Sequence, residues 1–380
     1  FSNGRDVDGY QRFLASTEKI FKAGMALLDT PFPTWSSMLR VLPDLVRLRA
    51  DRSVAAYVDQ FISEPRLKQV FSFHPLLVGG NPFRASAIYA LIHTLEQQWG
   101  VWFAMGGTGA LVQGLAQLFV DLGGSIRLNS EVAAIQVDRT KRRTTGVQLV
   151  SGEQLPADIV VCNGDVSQAM RTLVPEWARP RMSDKRIANY RYSMSLFVIY
   201  FGTNKQYPDT AHHEILMGPR YRALLEDIFE RKVLAQDFSL YLHRPTATDP
   251  SLAPPGHDCW YVLSPVPHLG GKIDWATTSP RYRDRIMHFL EDNYLPDLQA
   301  HIVSERVVDP RYFAGTLNSY LGSAFGPEPT LLQSAYLRPH NQAQDIPNLY
   351  FCGAGTHPGA GLPGVIASGK IVADLIGPAL

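Results

Sequence analysis

Cysteine is scarce in this sequence: three among 380 residues, Cys162, Cys259 and Cys352, far apart in the chain. No CxxC pair and no zinc-type spacing joins them, so a disulfide framework is excluded and structural thiols in a reducing compartment are the default. Excess charge of either sign is also lacking. With 36 basic against 35 acidic residues the formal net charge is +1, which leaves no basic footprint for nucleic acid as a partner. No apolar run reaches the roughly 18 residues of a membrane span, and no signal peptide opens the chain. A nucleophile elbow and an HExxH motif are both missing. His212 and His213 stand together before Glu214, but neighbours in a strand point to opposite faces, so no metal site is expected there or elsewhere.

What is present suits a globular chain with a large core. Hydrophobic residues make up 45% of it, enough at this length for two domains. Tyr10, Phe13, Leu14, Ile20, Phe21, Met25 and Leu28 fall at helical spacing. Thr34 is a good N-cap for a second helix over 35–50, interrupted by Pro43, and Ser53 and Pro65 open a third and a fourth. A further helix follows over 85–99. After it the spacing predicts a short strand over 101–103 and a helix over 110–122 with Leu111, Leu115, Leu118, Phe119 and Leu122 on its buried side. Four short strands come next, over 125–128, 132–137, 145–149 and 158–162. From 193 to 303 the pattern is mixed: strands over 195–201, 238–242 and 260–263, helices over 221–231 and 281–293. That order predicts an α/β (α+β) chain in which a sheet is covered by helices.

The clearest chemistry is in the tail. A buried strand over 349–352 runs into glycines at 353, 355, 359, 361 and 364, and a helix is predicted over 365–376. Glycine lets backbone approach a ligand closely, and a helix start aims free N–H groups at it, so the ligand is expected to be electron-rich or anionic. Pro363 suits a first helical turn. Gly359, Gly361 and Gly364 spell GxGxxG, yet the full dinucleotide fingerprint needs a second parallel strand and an acid about 20 positions on. The sequence runs only to Leu380, so a secondary contact to a nucleotide cofactor is expected. A helix packed tightly on a strand through Ala367, Ser368 and Gly369 is the alternative reading of the same glycines.

Many unusual strings then resemble one family, in order and over essentially the whole chain. They include HPLLVGGNPF (74–83), GVWFAMGGTGALVQGLAQLFVDLGG (100–124), ADIVVCNGDV (157–166), AHHEILMGPRYR (211–222), LNSYLGSAF (317–325) and GAGTHPGAGLPGV (353–365). They resemble bacterial-type phytoene desaturases, of the flavin amine-oxidase-like superfamily. The resemblance implies FAD as cofactor, bound by a Rossmann-like domain, and phytoene and partly desaturated carotenes as substrates. Desaturation toward neurosporene or lycopene is the implied activity. It also implies that an N-terminal ADP-binding strand and GxGxxG loop are missing from this sequence, which starts at Phe1; a chain so reduced is expected to bind FAD poorly and to be inactive alone.

By that likeness residues 1–100 form a helical substrate- and membrane-associated region, 101–175 and 336–380 the parts of the FAD-binding domain, and 176–335 the substrate-binding domain. The implied cofactor contacts are Val132 at the adenine end and Gly353, Gly355, Thr356, His357, Gly361, Pro363, Gly364 and Val365 around the flavin. Ala354, Gly355 and Thr356 stand where the wider superfamily often has an acid. His357 can bond the flavin or merely organise the turn. Arg40 can act near the flavin or substrate end, or be a solvated or headgroup-touching cation beside Arg47 and Arg49; Ser37 stands where related desaturases can carry an acid. A hydrocarbon dissolved in lipid implies a cytoplasmic protein held peripherally at the membrane surface, with quinone or oxygen as acceptor. A sister carotenoid oxidoreductase (a C30 desaturase, a hydroxyneurosporene-type desaturase or a ketolase) and a flavin-free carrier of apolar lipid are the competing readings.

Overall fold

The computed structural model describes residues 4–32 and 34–378, with the side chains of Ala26, Arg40, Val41 and Leu45 excepted. Five helices come first: α1 (Gly4–Leu28), α2 (Trp35–Arg47), α3 (Val54–Val58), α4 (Pro65–Ser72) and α5 (Leu91–Trp99). Ser53 caps α3 by accepting from the Ala56 N–H at 3.2 Å, and Pro65 stands in the first turn of α4, as the sequence predicts. Thr34 makes no side-chain cap, its hydroxyl meeting Ser36 instead, and α2 runs through Pro43 without interruption.

Next are α6 (Gly107–Asp121), the strands β1 (Val132–Val137), β2 (Thr144–Leu149), β3 (Gln154–Pro156) and β4 (Val160–Cys162), then α7 (Val166–Leu173) and α8 (Asp184–Asn189). The strands expected over 101–103 and 125–128 do not form. A segment that short is an extended strand only when a neighbour pairs with it, and Trp102 is 88% exposed. Helix α6 has the predicted period but no buried residue, and Leu115, Leu118, Phe119 and Leu122 are exposed.

The remaining elements are β5 (Ser195–Thr203), β6 (His213–Leu216), α9 (Tyr221–Glu226), β7 (Leu240–His243), β8 (Asp258–Val266), α10 (Trp275–Asn293), α11 (Leu298–His301), β9 (Ile302–Val308), α12 (Pro310–Gly315), β10 (Leu349–Phe351) and α13 (Leu362–Ile376).

The chain folds as two compact units. One takes the chain up to Gly100, residues Ser130–Ser193 and the chain from Asn318 onward; the other takes Val101–Asn129 and Met194–Leu317. This differs from the expected division, in which 101–175 stayed together. Residues 101–129 are held in the second unit, where the Gly106 N–H donates to the Asp249 carboxylate at 2.7 Å and Phe103 packs edge-on against His212.

In the first unit, β1, β2 and β3 form an antiparallel sheet, while β10 pairs in parallel with β4. Phe351, Leu349, Ile135, Val166, Met170 and Ile187 form one core beneath them. A second core joins Phe13 and Ile20 of α1 to Val54, Val58 and Ile62. Arg84 reaches the buried Glu328 carboxylate with two short bonds, 2.9 and 2.8 Å, fastening residues far apart in sequence.

The second unit is a five-stranded antiparallel sheet in the order β6-β7-β8-β5-β9. β8 alternates strictly, burying Asp258, Trp260, Val262, Ser264 and Val266 on one side, the period of a sheet covered on one face. Helix α10 supplies the cover through Trp275, Tyr282, Ile286, Met287 and Leu290. It starts earlier than expected because Asp274 caps it by accepting from the Ala276 N–H, and Pro280 is tolerated in its second turn.

Candidate cofactor site

Strand β10 delivers the chain to the site. Leu349, Tyr350 and Phe351 are all buried and register with Val160, Val161 and Cys162 of β4. The loop that follows needs glycine for two reasons. Gly353, Gly359 and Gly361 hold φ of +109°, +131° and +97°, a region side chains rarely enter. At Gly355 and Gly364 space decides: a Cβ would stand 2.8 Å from Val166 Cγ1 at the first, and 2.7 Å from the Gly359 carbonyl oxygen at the second.

The loop is braced from behind by groups the sequence did not single out. Arg338, 2% exposed, donates Nε to the Thr356 carbonyl at 3.0 Å, Nη2 to the Ala354 carbonyl at 2.7 Å and Nη1 to the Gln333 carbonyl at 3.4 Å. Burial pulls its guanidinium below its ordinary value, though it stays charged at any physiological pH. Asn341 donates Nδ2 to the His357 carbonyl at 2.9 Å and to Thr356 Oγ1 at 3.3 Å. From α13, Ser368 Oγ accepts from the Gly353 N–H at 2.7 Å. No pattern in the sequence marks Arg338 or Asn341, because both lie in an irregular stretch with no period.

Thr356 is 1% exposed, and its hydroxyl donates to the Gly353 carbonyl at 3.2 Å while accepting from Asn341. It holds the loop's shape. His357 is buried with Nε2 on the Leu27 carbonyl at 3.2 Å, and its Nδ1 has no hydrogen-bond partner. Burial lowers its pKa to about 4, so the ring is neutral and Nδ1 carries a lone pair. Beside it lies a cavity of about 510 Å³ lined by Phe32, Trp35, Tyr336, His340, Asn341 and His357, of a size that takes a small molecule.

Gly361, Pro363, Gly364 and Val365 come together at the start of α13. Val365 makes the first helical bond, N–H to the Gly361 carbonyl at 2.9 Å. No side chain caps this start, and Leu362 and Ile366 beside it are exposed. An uncapped start of a 15-residue helix presents N–H groups and the positive end of the macrodipole. Val132 opens β1, paired with Leu149, in a different sheet from β10. The side chain of Arg40 lies outside the described residues. Asp165 caps α7 by accepting from the Gln168 N–H at 2.8 Å, a structural task.

His212 and His213 also differ from expectation. β6 begins at His213, so the alternation of a strand does not govern His212, and their rings lie 4.2 Å apart.

The model of the family "Flavin containing amine oxidoreductase" matches residues 9–377. Over 376 residues the chain is 50% identical to a lycopene-forming phytoene desaturase of Pseudescherichia vulneris, covering 98% of this chain and 76% of that protein. The chain belongs to the phytoene desaturase family of flavin-containing amine oxidoreductases. Within that family it is also 41% identical to the neurosporene-forming phytoene desaturase of Rhodobacter capsulatus, over 98% of this chain and 72% of the relative. Among solved structures it is similar in fold to an oxidoreductase from Methanosarcina mazei (TM-score 0.58, 15% identity, 89% of this chain and 72% of that one). Cyclohexylamine oxidase from Brevibacterium oxydans is a further neighbour (TM-score 0.51, 15% identity, 96% and 74%). The cofactor of this phytoene desaturase family member is FAD. The residues present fit it: an uncapped helix start and an imidazole nitrogen without a hydrogen-bond partner, His357 Nδ1, beside a cavity.

Proposed function

We propose that this protein is an FAD-dependent phytoene desaturase, introducing double bonds into phytoene toward neurosporene or lycopene in carotenoid biosynthesis. The observation that carries the reading is the Cβ-free loop of Gly353, Gly355 and Gly361 leading into the open start of α13. When bound, the flavin supplies the acceptor for hydride removed from the hydrocarbon. The chain's own part is to bind, orient and stabilise charge. Gly353 and Gly361 shape the loop through their left-handed backbone, Gly355 and Gly364 let it pack closely on Val166 and Gly359, and the positive end of α13, from Pro363 to Val365, opposes negative charge there. Thr356 keeps the loop in shape from within, and neutral His357 offers an acceptor at Nδ1. Val132 is assigned to the adenine end.

The membrane-surface reading is supported by α2. Trp35, Leu39, Leu42 and Val46 recur at helical spacing and are 55%, 55%, 48% and 69% exposed. An apolar stripe open to solvent suits a helix lying in a lipid interface, from which a dissolved hydrocarbon can be taken. No helix among the described residues is long and apolar enough to cross a membrane. A peripheral, cytoplasmic-side location with quinone or oxygen as final acceptor completes the proposal.

The test is to supply the full-length natural protein, loaded with FAD, with phytoene in liposomes and follow the absorption spectrum. Bands shifting to longer wavelength as the conjugated system lengthens are expected. Flavin reduction without any longer chromophore would sink the reading.

A further inference from the structure

The second unit contains a cluster of three histidines that the cofactor site does not include. His213, first residue of β6, is in register with His243, last residue of β7, and their Nδ1 atoms lie 3.3 Å apart. His212, one residue before the strand, turns its ring to the same side, 4.8 Å from His243 by ring centroid. One ring nitrogen from each of the three lies within 4.8 Å of the others.

We propose that His212, His213 and His243 bind a divalent transition cation of the zinc, nickel or copper kind, clipping the edge strand β6 to β7. Three features of geometry support it. Two imidazole nitrogens each about 2.05 Å from one tetrahedral cation stand about 3.3 Å apart, which is the His213–His243 separation. His212 is held from outside: Nδ1 meets Thr248 Oγ1 at 2.5 Å, leaving Nε2 buried and without any hydrogen-bond partner. A histidine held at one ring nitrogen by a neighbour, with the other nitrogen bare, is oriented as metal-binding histidines are. Third, the Tyr241 hydroxyl stands 2.5 Å from His213 Nδ1 and 3.1 Å from His243 Nδ1, in place to serve as an oxygen ligand or to be replaced by water.

The surroundings permit a cation. The nearest opposing charge, Arg244, has Nη1 3.3 Å from the buried Asp258 carboxylate. Glu214 accepts from the Ala211 N–H at 2.9 Å, fixing the turn that carries His212. His213 is exposed, so an ion can enter from solvent. In the other cluster of similar composition, His74, His93 and Glu96, His74 Nε2 bonds Glu96 at 3.1 Å and His93 Nε2 faces the Tyr10 hydroxyl at 3.2 Å. Rings that merely packed together would explain the stacking of His243 on Tyr261, but not the bare nitrogen of His212.

The experiment is a zinc titration of tag-free, FAD-loaded protein against a chromophoric chelator, with copper(II) spin resonance as a second readout. One bound ion per chain is expected, with nitrogen couplings from imidazole and a raised melting temperature. His213→Ala, at an exposed position, is expected to weaken zinc binding by more than about tenfold with unchanged circular dichroism, and Thr248→Val by about tenfold. Failure of the unmutated protein to retain zinc at about a hundredfold excess would overturn the proposal. So would zinc binding that survives His213→Ala and His243→Gln but disappears in His74→Gln.

Discussion

Arg338 and Thr356 are joined by a 3.0 Å hydrogen bond from the buried guanidinium to the backbone carbonyl of the glycine loop. The same side chain serves the Ala354 and Gln333 carbonyls, so one cation fixes the loop from beneath. Arg338→Met leaves three carbonyls without their donor, at about 1–3 kcal/mol for each unsatisfied group. Loss of stability on the order of 3 kcal/mol and easier release of flavin are expected, read from the melting temperature and flavin fluorescence. Arg338→Lys should fall between, because an ammonium cannot reproduce the planar fork.

Two glycines of α13 make a matched pair. At Gly364 an added Cβ would meet the Gly359 carbonyl at 2.7 Å, whereas at Gly369 it would meet nothing within 4 Å. Gly364→Ala should therefore displace the helix start and weaken flavin binding. Gly369→Ala should stabilise the protein by about 0.5–1 kcal/mol through helix propensity alone. Equal flavin affinity in both variants would count against a cofactor at this helix start.

Acid should destabilise the fold through buried histidines. His357 has a folded pKa of about 4 against an ordinary value of about 6.5. The unfolded chain thus binds the proton first, so stability is intact above pH about 6.5 and declines as pH falls toward about 4, by on the order of 3 kcal/mol for this group. His93 and His268, also lowered to about 4 by burial, act in the same direction. Denaturant midpoints of the unmutated protein and His357→Gln at several pH values check this: the variant should show a shallower decline, and parallel curves would refute it.

Glu328 is 1% exposed and accepts three bonds from Arg84. Breaking a buried pair from one side leaves the other charge without compensation, so Glu328→Gln should cost about 3–5 kcal/mol. The urea midpoint measures it, and a cost under about 1 kcal/mol would mean that water already screens the pair.

Replacing Leu39 and Val46 together by Glu tests the role of α2. Both are exposed, so folding stability should stay within about 0.5 kcal/mol. Losing two inserted side chains should reduce vesicle binding on the order of a hundredfold. Sedimentation with liposomes decides, and unchanged binding would remove this helix from the membrane-facing surface.

Local pattern made much of this protein readable before any coordinates. The strand over 260–263 and the Ser53 cap are local properties, and so is the strand, glycine loop and helix from Leu349 to Ile376. Tertiary facts were not readable in the same way. The period of α6 reports an apolar side, but not whether anything covers Leu118 or Leu122. Arg338 carries no motif, since its role comes from carbonyls 16 and 18 residues away in the chain. His212 was misjudged because a strand's alternation was applied one residue before the strand begins.

The parallel pairing of Val161 with Tyr350 also sets the order of assembly. Nearly the whole antiparallel-sheet unit lies between those two residues in the chain, so closing this contact from an unfolded chain means ordering a very long loop. Prior collapse of that intervening unit shortens the distance to be searched. The glycine loop, carried by β10, is therefore expected to reach its native position late in folding, once the intervening unit has collapsed.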